Sequence, residues 1–335
     1  MSESKNKLRM LYVLDILRKY SDEEHPLSSI KICEILKKEY GIICDRKATI
    51  YSDINTLKEF RDNYFNIENV STPSKGFCIF DREFELAELY LLSDAVQSAH
   101  SVTKSKSKAL VSKLRTFASV YQGEHIGSSV YIDARQKSDN VQIYYNIHNI
   151  QQAITQNKKI RIKYIRHNID RNSERYYIVS PYAMIWSNDR YYLICNNDTK
   201  QNLMHVRIDR IQNVTVLEQK QRSFEQFTNY KGSFDAADYA EKMFNGFSGT
   251  MEEIVLICDN SLYQDLLDRF GTGCIRKYNQ DELIVKFTGA VSSGLVSWLL
   301  QYGDKIYIQS PQNLKSMFNN KLNDVNLFQS KRKSE

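Results

Sequence analysis

The chain is poor in the residues that break or cross-link structure. Four prolines and 12 glycines in 335 residues exclude collagen-like and linker-type composition. Six cysteines, at 33, 44, 78, 195, 258 and 274, form no C-x-x-C pair. Four of them sit in apolar runs, the pattern of reduced, buried thiols acting as small hydrophobes. Six dispersed histidines without an H-E-x-x-H spacing argue against a structural zinc site, so no metal or cofactor is expected. There is no G-x-x-x-x-G-K-[ST] loop and no G-x-S-x-G elbow, and no catalytic constellation is visible, so the chain is not expected to be an enzyme. No apolar run approaches the roughly 18–20 residues that cross a bilayer. The opening Met1-Ser-Glu-Ser-Lys-Asn-Lys7 enters an amphipathic stretch without the apolar core of a leader. A cytoplasmic, membrane-free protein is expected.

What is present is core-forming material. An apolar content of 42% and 22 tyrosines place the chain among folded proteins, and its length suggests two or three domains. The net charge of +6 is modest, but it is unevenly spread. Residues 1–80 carry 13 Lys/Arg against 12 Asp/Glu, whereas residues 101–175 carry 14 against 5. A polyanion is therefore better accommodated by the middle of the chain, although a solvated basic face would give the same count.

Met10, Val13, Leu14 and Leu17 recur at helical spacing. Ser28 or Ser29 can cap a second helix that ends at Gly41, and Asp45 can cap a third whose inward stripe is Ile50, Ile54 and Leu57. A four-residue connection, Gly41-Ile-Ile-Cys44, between short helices is helix-turn-helix spacing. On the third helix Ala48, Ser52 and Asn55 point away from the apolar stripe, flanked by Thr49, Tyr51 and Thr56. Small and hydrogen-bonding side chains suit a helix that enters a DNA major groove, and Arg46 and Lys47 can reach phosphates or guanine edges. The polar face of an ordinary bundle is the competing reading. Two β-rich runs, 65–70 and 77–80, joined by Ser71-Thr-Pro-Ser-Lys-Gly76, then read as a hairpin with Lys75 near its tip. Three helices and a hairpin make the winged variant, with double-stranded DNA as partner.

Residues 82–121 read as helix, with Lys104-Ser-Lys-Ser-Lys108 separating two halves. These helices either pair two protomers or pack within one chain. After a further helix at 141–156, strands are expected at 160–164, 176–179, 183–186, 191–195, 203–208 and 214–217, a set able to close into a small barrel. Ser187-Asn-Asp189 supplies the turn before the fourth of these. From 252 to about 328 strands and helices alternate, and the polar Ser330-Lys-Arg-Lys-Ser-Glu335 reads as a frayed tail.

The sequence resembles the bacterial regulators that join a winged helix-turn-helix to a WYL domain and a C-terminal (WCX-type) extension. The likeness is strongest over Val179-Ser-Pro-Tyr-Ala-Met-Ile-Trp-Ser-Asn-Asp-Arg-Tyr-Tyr-Leu-Ile194, where Tyr191-Tyr192-Leu193 stands for the usual Trp-Tyr-Leu. Met204-His-Val-Arg-Ile-Asp-Arg-Ile211 resembles the later Arg-x-Phe-Arg-Leu-Asp-Arg-Ile segment, with Met204 and Val206 as departures. Thr49-Ile-Tyr-Ser-Asp-Ile54, the stretch 239–249 and Ser297-Trp-Leu-Leu300 add further similarity, while Ala48 and Ser52 stand where basic residues are common.

The resemblance implies an α+β multidomain chain. Its parts would be a winged helix-turn-helix at 1–81, a helical linker with possible dimerisation at 82–140, an Sm-like small β-barrel (WYL) at 141–220, a connector at 221–250, an α+β extension at 251–329 and a polar tail at 330–335. It further implies a homodimeric, sequence-specific transcriptional regulator whose WYL domain senses a nucleotide or oligonucleotide. The residues supply a reason: Arg161, Lys163, Arg175, Arg207 and Arg210, with His167 and His205, offer positive charge and forked donors, and Tyr164 and Tyr192 offer stacking faces. Each tyrosine and histidine could instead serve packing, and Arg207 or Arg210 could pair with Asp209 or Glu218. A nucleic-acid-processing enzyme or accessory protein that grips substrate in a basic barrel is the alternative, and a protein-interaction module is a third.

Overall fold

The computed structural model describes residues 3–44, 46–128, 137–166, 173–187, 189–244, 247 and 249–332, with side chains from Leu8 onward. The chain is an α+β protein that divides into two compact units, Met1–Asp139 and Asn140–Glu335.

In the first unit α1 (Glu3–Tyr20), α2 (Ser29–Tyr40) and α3 (Lys47–Glu59) enclose a core of Val13, Ile16, Leu17, Ile32, Leu36, Ile50, Ile54 and Leu57. Each such fully buried aliphatic side chain contributes about 1.5–3 kcal/mol. Ser28 caps α2 by accepting from the Lys31 amide, and Gly41, at φ 64°, ends it in the left-handed conformation. The connection to α3 covers 41–46, two residues longer than the spacing suggested, because buried Ile42 is drawn into the core and Arg46, not Asp45, holds the cap position. Asp45 lies outside the described residues. β1 (Ile67–Val70) and β2 (Gly76–Ile79) pair antiparallel, and Leu27 bridges Phe77 on the far side through two 2.9 Å backbone bonds.

Then come α4 (Leu86–Ser98), α5 (Lys104–Arg115) and α6 (Val120–His125). The basic run does not separate two helical halves. Thr103 accepts from the Lys106 amide and caps α5, so Lys104 and Lys108 lie in its first turns and the break falls before them. These helices are tied to the first three. The Arg82 guanidinium donates to the carbonyls of Arg18, Ser21 and Phe117, and buried Asp22 accepts from the Ser119 hydroxyl and lies 2.7 Å from His25 Nδ1.

The second unit begins with α7 (Ile143–Thr155), followed by β3 (Lys158–Arg166), β4 (Ser173–Ser187), β5 (Arg190–Asn196), β6 (Met204–Arg207) and β7 (Ile211–Lys220). The sheet order is β6-β5-β4-β3-β7, and among the described residues no pairing joins β6 to β7. Two expected strands at 176–179 and 183–186 are one 15-residue strand, β4. Its register shifts between Pro181 and Ala183, where proline has no amide for the ladder, and there the strand passes from β3 to β5 as partner. Asn146 and Asn149 of α7 donate to the carbonyls of Ile211 and Val214, pinning the helix to β7. The turn expected at 187–189 includes Asn188, which lies outside the described residues.

A connector with α8 (Ala236–Glu241) supplies Tyr239 and Met243 to a cluster with Tyr182, Ile185, Ile194 and Leu203. It leads to β8 (Thr250–Asp259), α9 (Tyr263–Phe270), β9 (Ile275–Lys277), β10 (Glu282–Val291), α10 (Ser293–Leu299), β11 (Ile306–Ser310) and α11 (Gln312–Arg332). Their sheet runs β11-β8-β10-β9, antiparallel throughout. The helix continues through Ser330–Arg332, which polarity alone assigned to a frayed tail.

Candidate functional site

Two groups of residues carry chemistry, one in each unit. In the first, Ile50, Ile54 and Leu57 turn α3 inward, and the Asp53 carboxylate is forked by Arg9 Nε and Nη2 at 2.7 and 3.0 Å. This bidentate pair fixes the rotation of α3 about its axis. Ala48, Ser52 and Asn55 consequently point outward and are exposed, as are Arg46 and Lys47 at the start of the helix. Thr49 is half-buried. Tyr51 is exposed but sets its ring edge-on to Phe77 at 5.1 Å, joining α3 to the hairpin. Lys75 is exposed between β1 and β2.

The hairpin's approach depends on Gly76. A Cβ there would lie 2.7 Å from the Leu27 carbonyl carbon and 2.8 Å from its oxygen, so only glycine admits the crossing chain.

In the second unit the strand register sorts the nine predicted ligand residues. Tyr192 on β5 lies directly opposite Arg207 on β6, and Ile194 opposite His205. Tyr192, His205 and Arg207 therefore share one face. Asp209, whose side chain is 7% exposed, accepts from Arg207 Nε and Nη2 at 3.1 and 2.6 Å, and from Arg190 Nη1 at 3.3 Å. The bond to Asp209, opposed by burial, raises Arg207 above the ordinary arginine value. Two of its five N–H donors serve Asp209, which leaves three for a ligand. His205 Nε2 sits 2.9 Å from the Tyr239 hydroxyl. Arg210 is half-buried, with no ion pair among the described residues.

None of the other predicted residues is paired in register with Tyr192, His205 or Arg207. Tyr164 lies opposite Arg175 on the side of β3 and β4 that carries Ile160, Ile162 and Val179, and it packs on the core with Tyr177. Arg161 and Lys163 project from the opposite side with Ile178 and Tyr176, and Lys163 pairs with Glu174 at 2.8 Å. His167 lies outside the described residues. Arg190 and Tyr239 were not anticipated. In the sequence Asp209 reads as a partner for Arg207 or Arg210, and in the structure it orients Arg207 and Arg190. Glu218 pairs with Lys158. The signal for Arg190 was its position at the start of the strand bearing Tyr191-Tyr192-Leu193.

Residues 146–216 match the WYL domain family. The match spans α7 through most of β7, the elements that hold Tyr192, His205 and Arg207. No curated protein matches the sequence. Similar solved structures include the proteasome accessory factor B/C (PafBC) of Arthrobacter aurescens, at 16% identity over 95% of this chain, with a TM-score of 0.27. The present chain spans 46% of that protein's length. A CRISPR Cas-related protein matches at 13% identity over 99% of this chain and 86% of its own, with a TM-score of 0.37.

Proposed function

We propose that the protein is a sequence-specific DNA-binding transcriptional regulator that acts by binding rather than by catalysis. The observation that supports it best is α3, held by its apolar stripe and the Arg9–Asp53 fork so that an uncharged outer face of Ala48, Ser52 and Asn55 is exposed. On this reading the first unit is a winged helix-turn-helix. α3 enters a major groove about 12 Å wide, and Arg46, Lys47 and Lys75 meet phosphates or guanine edges. Two copies bind a pseudo-palindromic operator, with half-sites about one helical turn, or a multiple of it, apart. A nucleotide or nucleic-acid fragment in the WYL domain contacts Tyr192 and Arg207 and shifts DNA affinity by binding two conformations unequally.

Arg46→Ala/Lys47→Ala is expected to abolish gel shifts of operator DNA with secondary structure unchanged; undiminished binding defeats the reading. For the ligand, calorimetry with nucleotides and short oligonucleotides should lose its signal in Tyr192→Ala/Arg207→Ala. An unchanged isotherm removes that pocket from the account. Magnesium-dependent cleavage of single or double strands would favour the nuclease alternative.

A further inference from the structure

The first unit holds a second basic feature that the reading of α3 does not use. One face of α5 carries Lys104, Ser107, Lys108, Val111 and Arg115 at intervals of three and four residues. That face lines a cavity of about 450 Å³ against α4, within the roughly 300–1,000 Å³ of small-molecule sites. Lys104, Lys108, Arg115 and Lys137 surround it, and no carboxylate is among the described residues that line it.

The cations are not equivalent. Lys137 Nζ spends its three donors on the carbonyls of Val96 and Ala99 and on Ser107 Oγ, so it contributes charge from a fixed position. Burial lowers its pKa, a cost that a bound anion would offset. Arg115 gives Nε and Nη2 to the Ile126 carbonyl at 3.0 and 2.7 Å, which holds its guanidinium in place with Nη1 left over. Lys104 and Lys108 are exposed, form no ion pair among the described residues, and stand about 6 Å apart along the helix. Val111 supplies an apolar wall. Gly127, at φ 79°, closes one side, where a Cβ would lie 2.8 Å from Val111 Cγ1.

We infer that the α4–α5 cavity binds a small phosphate-bearing ligand, with Lys104 and Lys108 holding the phosphates, Arg115 as a fixed donor and Val111 against the ligand's apolar part. The inference is independent of how α3 is read and of the pocket at Tyr192 and Arg207. A duplex backbone presents the same chemistry, and the test separates the two sources.

Calorimetry on the full chain would use pyrophosphate, ADP and adenosine. Pyrophosphate and ADP are expected to bind and adenosine not to. Lys104→Glu/Lys108→Glu should weaken both anions by about tenfold or more, since charge-assisted bonds are lost. Lys104→Arg/Lys108→Arg should retain them; every titration is made in the Tyr192→Ala/Arg207→Ala background, so that a nucleotide held by Tyr192 and Arg207 does not contribute, and circular dichroism checks that each variant is folded. The inference is overturned if neither anion binds at millimolar concentration, or if the Glu variant binds them as the parent does. It is also overturned if pyrophosphate binds the full chain but not the Tyr192→Ala/Arg207→Ala background, or if the Glu variant loses duplex affinity alone.

Discussion

Gly76 and Asp22 show how single positions hold the first unit together. Gly76→Ala places a methyl against the Leu27 backbone, which cannot withdraw without breaking its two bonds to Phe77. A loss of about 1–3 kcal/mol is expected, read as a lower thermal midpoint of the full chain. Burial alone would raise the Asp22 carboxyl, but the bonds from Ser119 and His25 outweigh it and hold it below the ordinary carboxylate value. A depressed folded value gives stability that is present above the unfolded value of about 3.9 and lost as pH falls through the folded one. The stability advantage of the parent over Asp22→Asn should therefore shrink as pH is lowered from about 5 to 3 in urea titrations; a constant gap would assign Asp22 no linked proton. Burial also pushes the Cys195 thiol up to about 12, so iodoacetamide at pH 8 should leave Cys195 unlabelled in the native chain and label it in denaturant.

At the scale of elements, α3 was legible because its signals are local. The stripe Ile50, Ile54, Leu57 and the outward Ala48, Ser52, Asn55 follow from helical periodicity, and the structure exposes those three outward residues. The Arg9–Asp53 fork spans 44 residues and left no local mark. The same distinction separates the misread pieces. Lys104–Lys108 looked like a spacer because its charge hid a helix start that Thr103 caps. β4 looked like two strands because Pro181 interrupts the pattern where the strand changes partner. Nine ligand candidates followed from the resemblance and from residue type, but which of them stand opposite one another depends on register, which no single strand encodes. Asp53→Asn should test the fork: the weakened pair frees α3 to rotate, lowering operator affinity more than a substitution at exposed Glu59, as read by fluorescence anisotropy.

For the whole molecule the account assigns recognition to one unit and sensing to the other, with Met1–Asp139 carrying α3 and Asn140–Glu335 carrying the WYL domain. Charge sums over the chain pointed to residues 101–175, yet α3 lies in the nearly neutral stretch 1–80. Net charge governs attraction, whereas reading a base edge requires reach and hydrogen bonding. Binding should weaken steeply with salt for parent and Ser52→Glu alike, because phosphate contacts dominate the slope, while only the parent discriminates between sequences. The most direct measurement is selection of the full chain on a randomised duplex library at low salt, beside Ser52→Glu/Asn55→Ala. The account predicts that the parent enriches one motif with two-fold related halves and the variant enriches none. Equal enrichment by both, or no motif from the parent, would contradict it.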